Sequence, residues 1–122
     1  QLNWMSSSVV VVVCWTWPTR DNVIDSDKDI SSLQEYLDYH GYRYMFTCAD
    51  NCVITGKLDY SNWFLFPPAE ESWNTQAPRG FYQWALENKY QVGTTHPLEE
   101  AHKDAAKLME EKFNELVKKP VQ

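Results

Sequence analysis

Positive charge is in short supply. The chain carries 11 Lys and Arg against 17 Asp and Glu, a formal net charge of −6. Such a chain has no field to draw it to phosphate backbones or anionic membranes, and is attracted instead to basic partners. Direct nucleic-acid binding and membrane association are therefore not expected. Glycine is also sparse, at 4 residues, and no Gly-rich loop is present to cradle a phosphate. Cysteine numbers only three, so at least one is unpaired even if Cys48 and Cys52 face each other across a turn. An odd count without a disulfide framework points to a reducing compartment, and a cytoplasmic location is the expectation. The apolar run Val9–Trp17 is too short to span a bilayer, and it lacks the basic leader and small-residue cleavage site of a signal peptide. No Ser-His-Asp pattern, internal repeat or interdomain linker can be placed.

What the chain does have is aromatic residues, 15% of the total, with six Trp and seven Tyr. Large rings fill cores, and Trp and Tyr also mark binding surfaces. At 122 residues the chain fits one domain with a core of its own. Met5 reads as a native start, which makes residues 1–4 a remnant and 5–122 a single domain.

Periodicity supplies the elements. Val9–Trp17 is β-branched and apolar without alternation, the pattern of a central strand covered on both faces. Ile30, Leu33 and Leu37 recur at helical spacing behind a Ser26/Asp29 capping pair, and Gly41 follows as a natural C′ residue, giving a helix from about Asp27 to His40. Tyr42–Cys48 alternates as a strand; Cys52–Leu58 and Trp63–Phe66 read as two more. A short helix is expected over Phe81–Tyr90, and a long one over Pro97–Lys118 from the stripe Leu98, Ala101, Ala105, Leu108, Met109, Phe113 and Leu116. The resulting expectation is an α+β domain in β-α-β-β-β-α-α order: a mixed sheet of about four strands with helices packed mainly on one face.

Three constellations bear on chemistry. Cys14 and Arg20 have the Cys-x5-Arg spacing of a phosphate-cradling loop, but the segment holds Trp15, Trp17 and Pro18 and no glycine. Cys14 reads instead as an inert core thiol, its pKa raised by apolar surroundings. Asp21, Asp25, Asp27 and Asp29 resemble the start of a calcium loop, yet Ile30 stands where Gly is needed and Tyr36 where Glu is needed. A looser carboxylate-bound divalent metal is the residual alternative, and no cofactor is assigned. His96, Glu99 and His102 cluster at the start of the last helix with no further ligand nearby, too few for a zinc site.

From Ile30 to Leu116 the expected order is a helix, three strands and a final helix. Ser32-Leu33-Gln34-Glu35-Tyr36 and Lys103-Asp104-Ala105-Ala106-Lys107 resemble the two helices of double-stranded-RNA-binding domains. That resemblance would imply RNA binding through a basic face. Asp104 stands where a second lysine belongs, the Gly-Pro-x-His loop is missing and an extra helix intervenes. The departures leave it short of an assignment.

The functional expectation is a binding protein rather than an enzyme: a small acidic module of the inhibitor, immunity-type or nucleic-acid-mimic kind. Carboxylates would steer it to a basic protein surface, and rings would hold it there. The irregular stretch Ala69–Gly80 is long for a plain connection. Glu70, Glu71, Trp73 and Arg79 are the expected contacts, joined by Asp21 and Asp25. The alternative is a small-molecule site, possibly enzymatic, in a pocket lined by Trp15, Trp17, Tyr44 and Trp63.

Overall fold

A computed structural model describes residues 9–16, 23–69, 77–93 and 96–118. Its elements are strand β1 (Val10–Trp15), helix α1 (Val23–Tyr39), strand β2 (Arg43–Cys48), a 3-10 turn (Asn51–Val53), helix α2 (Phe81–Glu87) and helix α3 (Glu99–Lys118).

Strands β1 and β2 pair in parallel, from Val10 opposite Arg43 to Trp15 opposite Cys48. Parallel neighbours need a crossover of a dozen residues or more, which α1 supplies. The helix stops where glycine allows it. Gly41 sits at φ 74°, the Tyr42 N–H donates to Leu37 O at 2.9 Å, and the Gly41 N–H donates to Asp38 O at 3.2 Å. This pair of bonds is a Schellman motif, and it turns the chain directly into β2.

Alternation along the strands divides the interior in two. On one face Val11, Val13, Trp15, Tyr44, Phe46 and Cys48 join Ile30 and Leu37 of α1, with Val53 and Trp63. Cys14 and Thr47 lie on the other face, with His102, Ala105, Ala106 and Met109 of α3 beside them. Phe66, Trp84, Ala85, Ala101 and Ala105 form the second core cluster. The helices thus cover both faces of the sheet, where packing mainly on one face was expected.

The four-stranded mixed sheet is also corrected: the described residues form a two-stranded one. In the segment read as strand Cys52–Leu58, side chains capture the backbone donors that a ladder would use. Asp50 Oδ1 accepts from the Cys52 N–H at 2.8 Å, and the Tyr60 hydroxyl accepts from the Thr55 and Gly56 N–H groups at 3.1 and 3.0 Å. Trp63–Phe66 pairs by backbone in isolated bridges, Phe46 with Trp63 and Phe66 with Arg79, rather than in a ladder. The three-strand order shared with double-stranded-RNA-binding domains goes with these strands. Nor is β1 a central strand, since its only partner among the described residues is β2. Val12 is 50% exposed and Cys14 reaches solvent. Apolar character without alternation did not mean cover on both faces: Val11, Val13 and Trp15 pack on the first cluster, whereas Val12 and Cys14 on the other face are exposed.

Helix α2 is held against the 3-10 turn by polar contacts. Gln83 Oε1 accepts from the Asn51 N–H at 3.0 Å, Gln83 Nε2 donates to Asp50 Oδ2 at 2.7 Å, and the Gly80 N–H donates to Asn51 Oδ1 at 2.6 Å. The approach is so close that a Cβ on Gly80 would lie 2.6 Å from the Asp50 carbonyl carbon.

Candidate functional site

Helix α1 buries Ile30, Gln34 and Leu37 and turns Asp29, Ser32, Glu35, Tyr36, Asp38 and Tyr39 to solvent, and His40, just past its end, is exposed too. Tyr39 is 86% exposed and Tyr36 56%. Their i, i+3 spacing puts them on neighbouring positions of the outer face, and His40 lies against both, with ring centroids 4.4 Å from Tyr36 and 5.0 Å from Tyr39. Glu35 and Asp38 flank the rings. No basic residue occupies the last turn, so these carboxylates add to the negative end of the helix dipole. The result is an exposed aromatic surface set in negative charge. The legible signal was that Tyr36 and Tyr39 stand three residues apart, with Tyr39 on the side of the helix opposite Ile30 and Leu37.

The residues expected to make partner contacts are distributed differently. Glu70, Glu71, Trp73 and Asp21 lie outside the described residues. Asp25 falls in the first turn of α1. Arg79 is corrected as a surface contact: it is buried, with its Nε donating to Glu87 Oε2 at 2.8 Å and its Nη1 to Ala77 O at 2.7 Å. Glu87 also accepts from the Ala69 N–H at 3.2 Å. One carboxylate therefore holds both ends of the stretch from 69 to 77, through Ala69 and, by way of Arg79, Ala77.

Of the rings expected to line a pocket, Trp17 lies outside the described residues. Trp15, Tyr44 and Trp63 are brought together, but around Phe46, at centroid separations of 5.5, 4.8 and 5.6 Å. Tyr44, Phe46 and Trp63 are all buried. These rings pack on one another as core, which corrects their assignment to a ligand pocket.

The other candidates are equally committed. Asp27 Oδ1 accepts from the Thr55 hydroxyl at 2.9 Å, tying α1 to the segment after the 3-10 turn. His102 packs edge-on against Phe81, with centroids 4.9 Å apart. Among the described residues no group of three His, Cys, Asp or Glu side chains could hold a metal ion. All three cysteines are free. Burial pushes the Cys48 thiol up to about 12 and the Cys52 thiol up to about 11, the latter helped by its hydrogen bond with Asp50. Cys14 is raised by desolvation as well. The expectation of a core thiol is corrected, however: Cys14 reaches solvent. Arg20, the partner in the phosphate-loop reading, lies outside the described residues.

No helix among the described residues is long and apolar enough to cross a membrane. No protein family, curated protein or solved structure matches the chain, so a functional reading rests on the charge and on the surface that α1 presents.

Proposed function

We propose that this chain is a small acidic protein-binding module that engages a basic surface on a protein partner, as an inhibitor, an immunity-type protein or a nucleic-acid mimic does. The observation that carries the reading is the exposed Tyr36–Tyr39 pair on α1, set among Glu35, Asp38 and Asp29. Tyrosines supply contact area at little rotamer cost, because only two side-chain torsions are fixed. The flanking acids and the net charge of −6 speed encounter with a basic partner and reject acidic ones. The interface begins on the α1 face. Asp21, Asp25, Glu70, Glu71 and Trp73 are proposed as secondary contacts, with the clamp at Glu87 holding the base of the 69–77 stretch.

The test is affinity capture from the native host, or from its natural target cell, at low and high salt. Wild type is compared with Tyr39→Ala, and a photocrosslinker at position 36 reports which surface is touched. The reading predicts a protein with a basic patch that is crosslinked at position 36, released by salt and not retained by Tyr39→Ala. A captured protein that ignores both salt and Tyr39→Ala contradicts it.

A further inference from the structure

The two strands of the sheet are not equally enclosed. Phe46 of β2 donates its N–H to Asn62 O at 3.1 Å and accepts from the Phe64 N–H at 2.7 Å, so β2 has a neighbour on its far side as well as β1 on its near side. Strand β1 has β2 alone among the described residues. The Ala49 N–H donates to Trp15 O at 2.9 Å, which fixes the phase of β1. Val11, Val13 and Trp15 turn their N–H and C=O groups to β2, and Val10, Val12 and Cys14 turn theirs to the open edge. Among the described residues none forms a backbone hydrogen bond with those three on that side. Val12 is 50% exposed and Cys14 reaches solvent.

Edge strands are commonly guarded against pairing with another chain by a charge, a proline or a bulge. The chain holds 17 acidic and 11 basic residues, yet none stands between residues 9 and 19, and β1 contains neither Pro nor Gly. Its four successive valines favour extended backbone and pack well on a pleated surface. A sheet of two strands is also small, since about four to six is usual.

We propose that β1 pairs antiparallel with β1 of a second copy of this chain, about a twofold axis at Val12, giving a four-stranded sheet in the order β2-β1-β1-β2. The edge is self-complementary in this arrangement. Val12 lies opposite Val12 of the second copy and Val10 opposite Cys14, so every outward N–H and C=O group of the three residues finds a partner. An axis at any other residue sets at least one of the three opposite a residue outside Val10–Trp15. The edge offers no charge that would select a charged peptide, whereas a second copy brings the same uncharged strand at the same length. This interface is separate from the acidic face of α1 and does not rest on it.

Sedimentation velocity from low micromolar to near-millimolar protein should show a reversible monomer–dimer equilibrium. Added salt should strengthen the dimer, because each copy carries a net charge of −6 and none of it lies in the strand. Capture of a basic partner by α1 has the opposite salt dependence, so the two associations are distinguishable. Val12→Lys sets two ammonium groups opposite each other at the axis and should leave a monomer throughout, with the fold retained at this exposed position. Val12→Cys in a Cys14→Ser/Cys52→Ser background should form a disulfide with its own copy under mild oxidation. Facing residues of a hydrogen-bonded pair lie about 5.5 Å apart at Cα, within disulfide reach. Should Val12→Lys fail to fold, this crosslink decides. The proposal is overturned if the wild type is monomeric at every concentration, if salt weakens the dimer, or if Val12→Lys dimerises like wild type. Failure of Val12→Cys to give a disulfide-linked dimer overturns it equally.

Discussion

Replacing Asp50 by Ala should be among the costlier single substitutions that create no large cavity. The Asp50 residue is 7% exposed. Its carboxylate accepts from the Cys52 N–H at 2.8 Å and from Gln83 Nε2 at 2.7 Å, so it both starts the 3-10 turn and anchors α2. A hydrogen bond to a charged group contributes about 1.5–3 kcal/mol, and its loss leaves a part-buried donor unpaired. Taking the lower figure twice gives about 3 kcal/mol, from a total stability of about 5–15 kcal/mol. With a urea m-value of about 2 kcal/mol/M, the unfolding midpoint should fall by about 1.5 M. The effect should also depend on pH. Burial alone would raise the Asp50 carboxyl, but the hydrogen bonds from Cys52 and Gln83 outweigh it and hold the pKa below the ordinary 3.8. A carboxyl depressed by folding contributes stability that is fully present above its unfolded pKa and lost as pH falls through its folded one. The gap between wild type and Asp50→Ala should therefore be constant from neutral pH to about pH 5 and narrow below about pH 4. Urea melts of both proteins across that range measure it. A neutral-pH difference under about 1 kcal/mol, or a gap that does not narrow in acid, would refute the reasoning.

Other substitutions follow from the same geometry. Gly80→Ala places a Cβ 2.6 Å from Asp50 backbone, so thermal unfolding should show a clear loss of Tm, as backbone on both sides must shift. Phe46→Ala empties the centre of the cluster that holds Trp15, Tyr44 and Trp63 and should cost about 3–5 kcal/mol in a denaturant melt. Gly41→Ala puts a Cβ into a backbone at φ 74° and should cost about 1 kcal/mol, with α1 retained by circular dichroism. Tyr39→Ala removes a ring that is 86% exposed and should change stability by no more than about 0.5 kcal/mol.

The backbone elements were legible where periodicity was strong and where glycine punctuated it. Gly41 marked the end of α1, and the stripe through Ala101 and Ala105 marked α3. The start of α1 at Val23 escaped because Ser26 and Asp29 imitate a cap inside the helix. The missing strands show a different limit. Cys52–Leu58 and Trp63–Phe66 have strand-like side chains, but Asp50 and Tyr60 take the N–H groups of Cys52, Thr55 and Gly56, and Trp63–Phe66 pairs with Phe46 and Arg79 through isolated bridges rather than a ladder. The contact role expected of Arg79 failed for a comparable reason. A basic residue next to an irregular stretch looks exposed until Glu87, eight residues on in another element, buries it in an ion pair. The aromatics were ambiguous from the start, since Tyr44 and Tyr39 are the same residue type with opposite fates. Helical phase separated Tyr39 from the core, whereas strand alternation could not say which face of a two-sided sheet would be closed.

The central functional claim is that the acidic, tyrosine-bearing face of α1 is the contact surface. Its most direct test is the Kd of the captured partner for wild type and for Tyr36→Ala/Tyr39→Ala, each at two salt concentrations, with the Tm of both proteins measured alongside. The account predicts an unchanged Tm and a loss of affinity of at least about tenfold in the double variant, with wild-type binding weakened by salt. A double variant that binds as tightly as wild type at either salt concentration would contradict it.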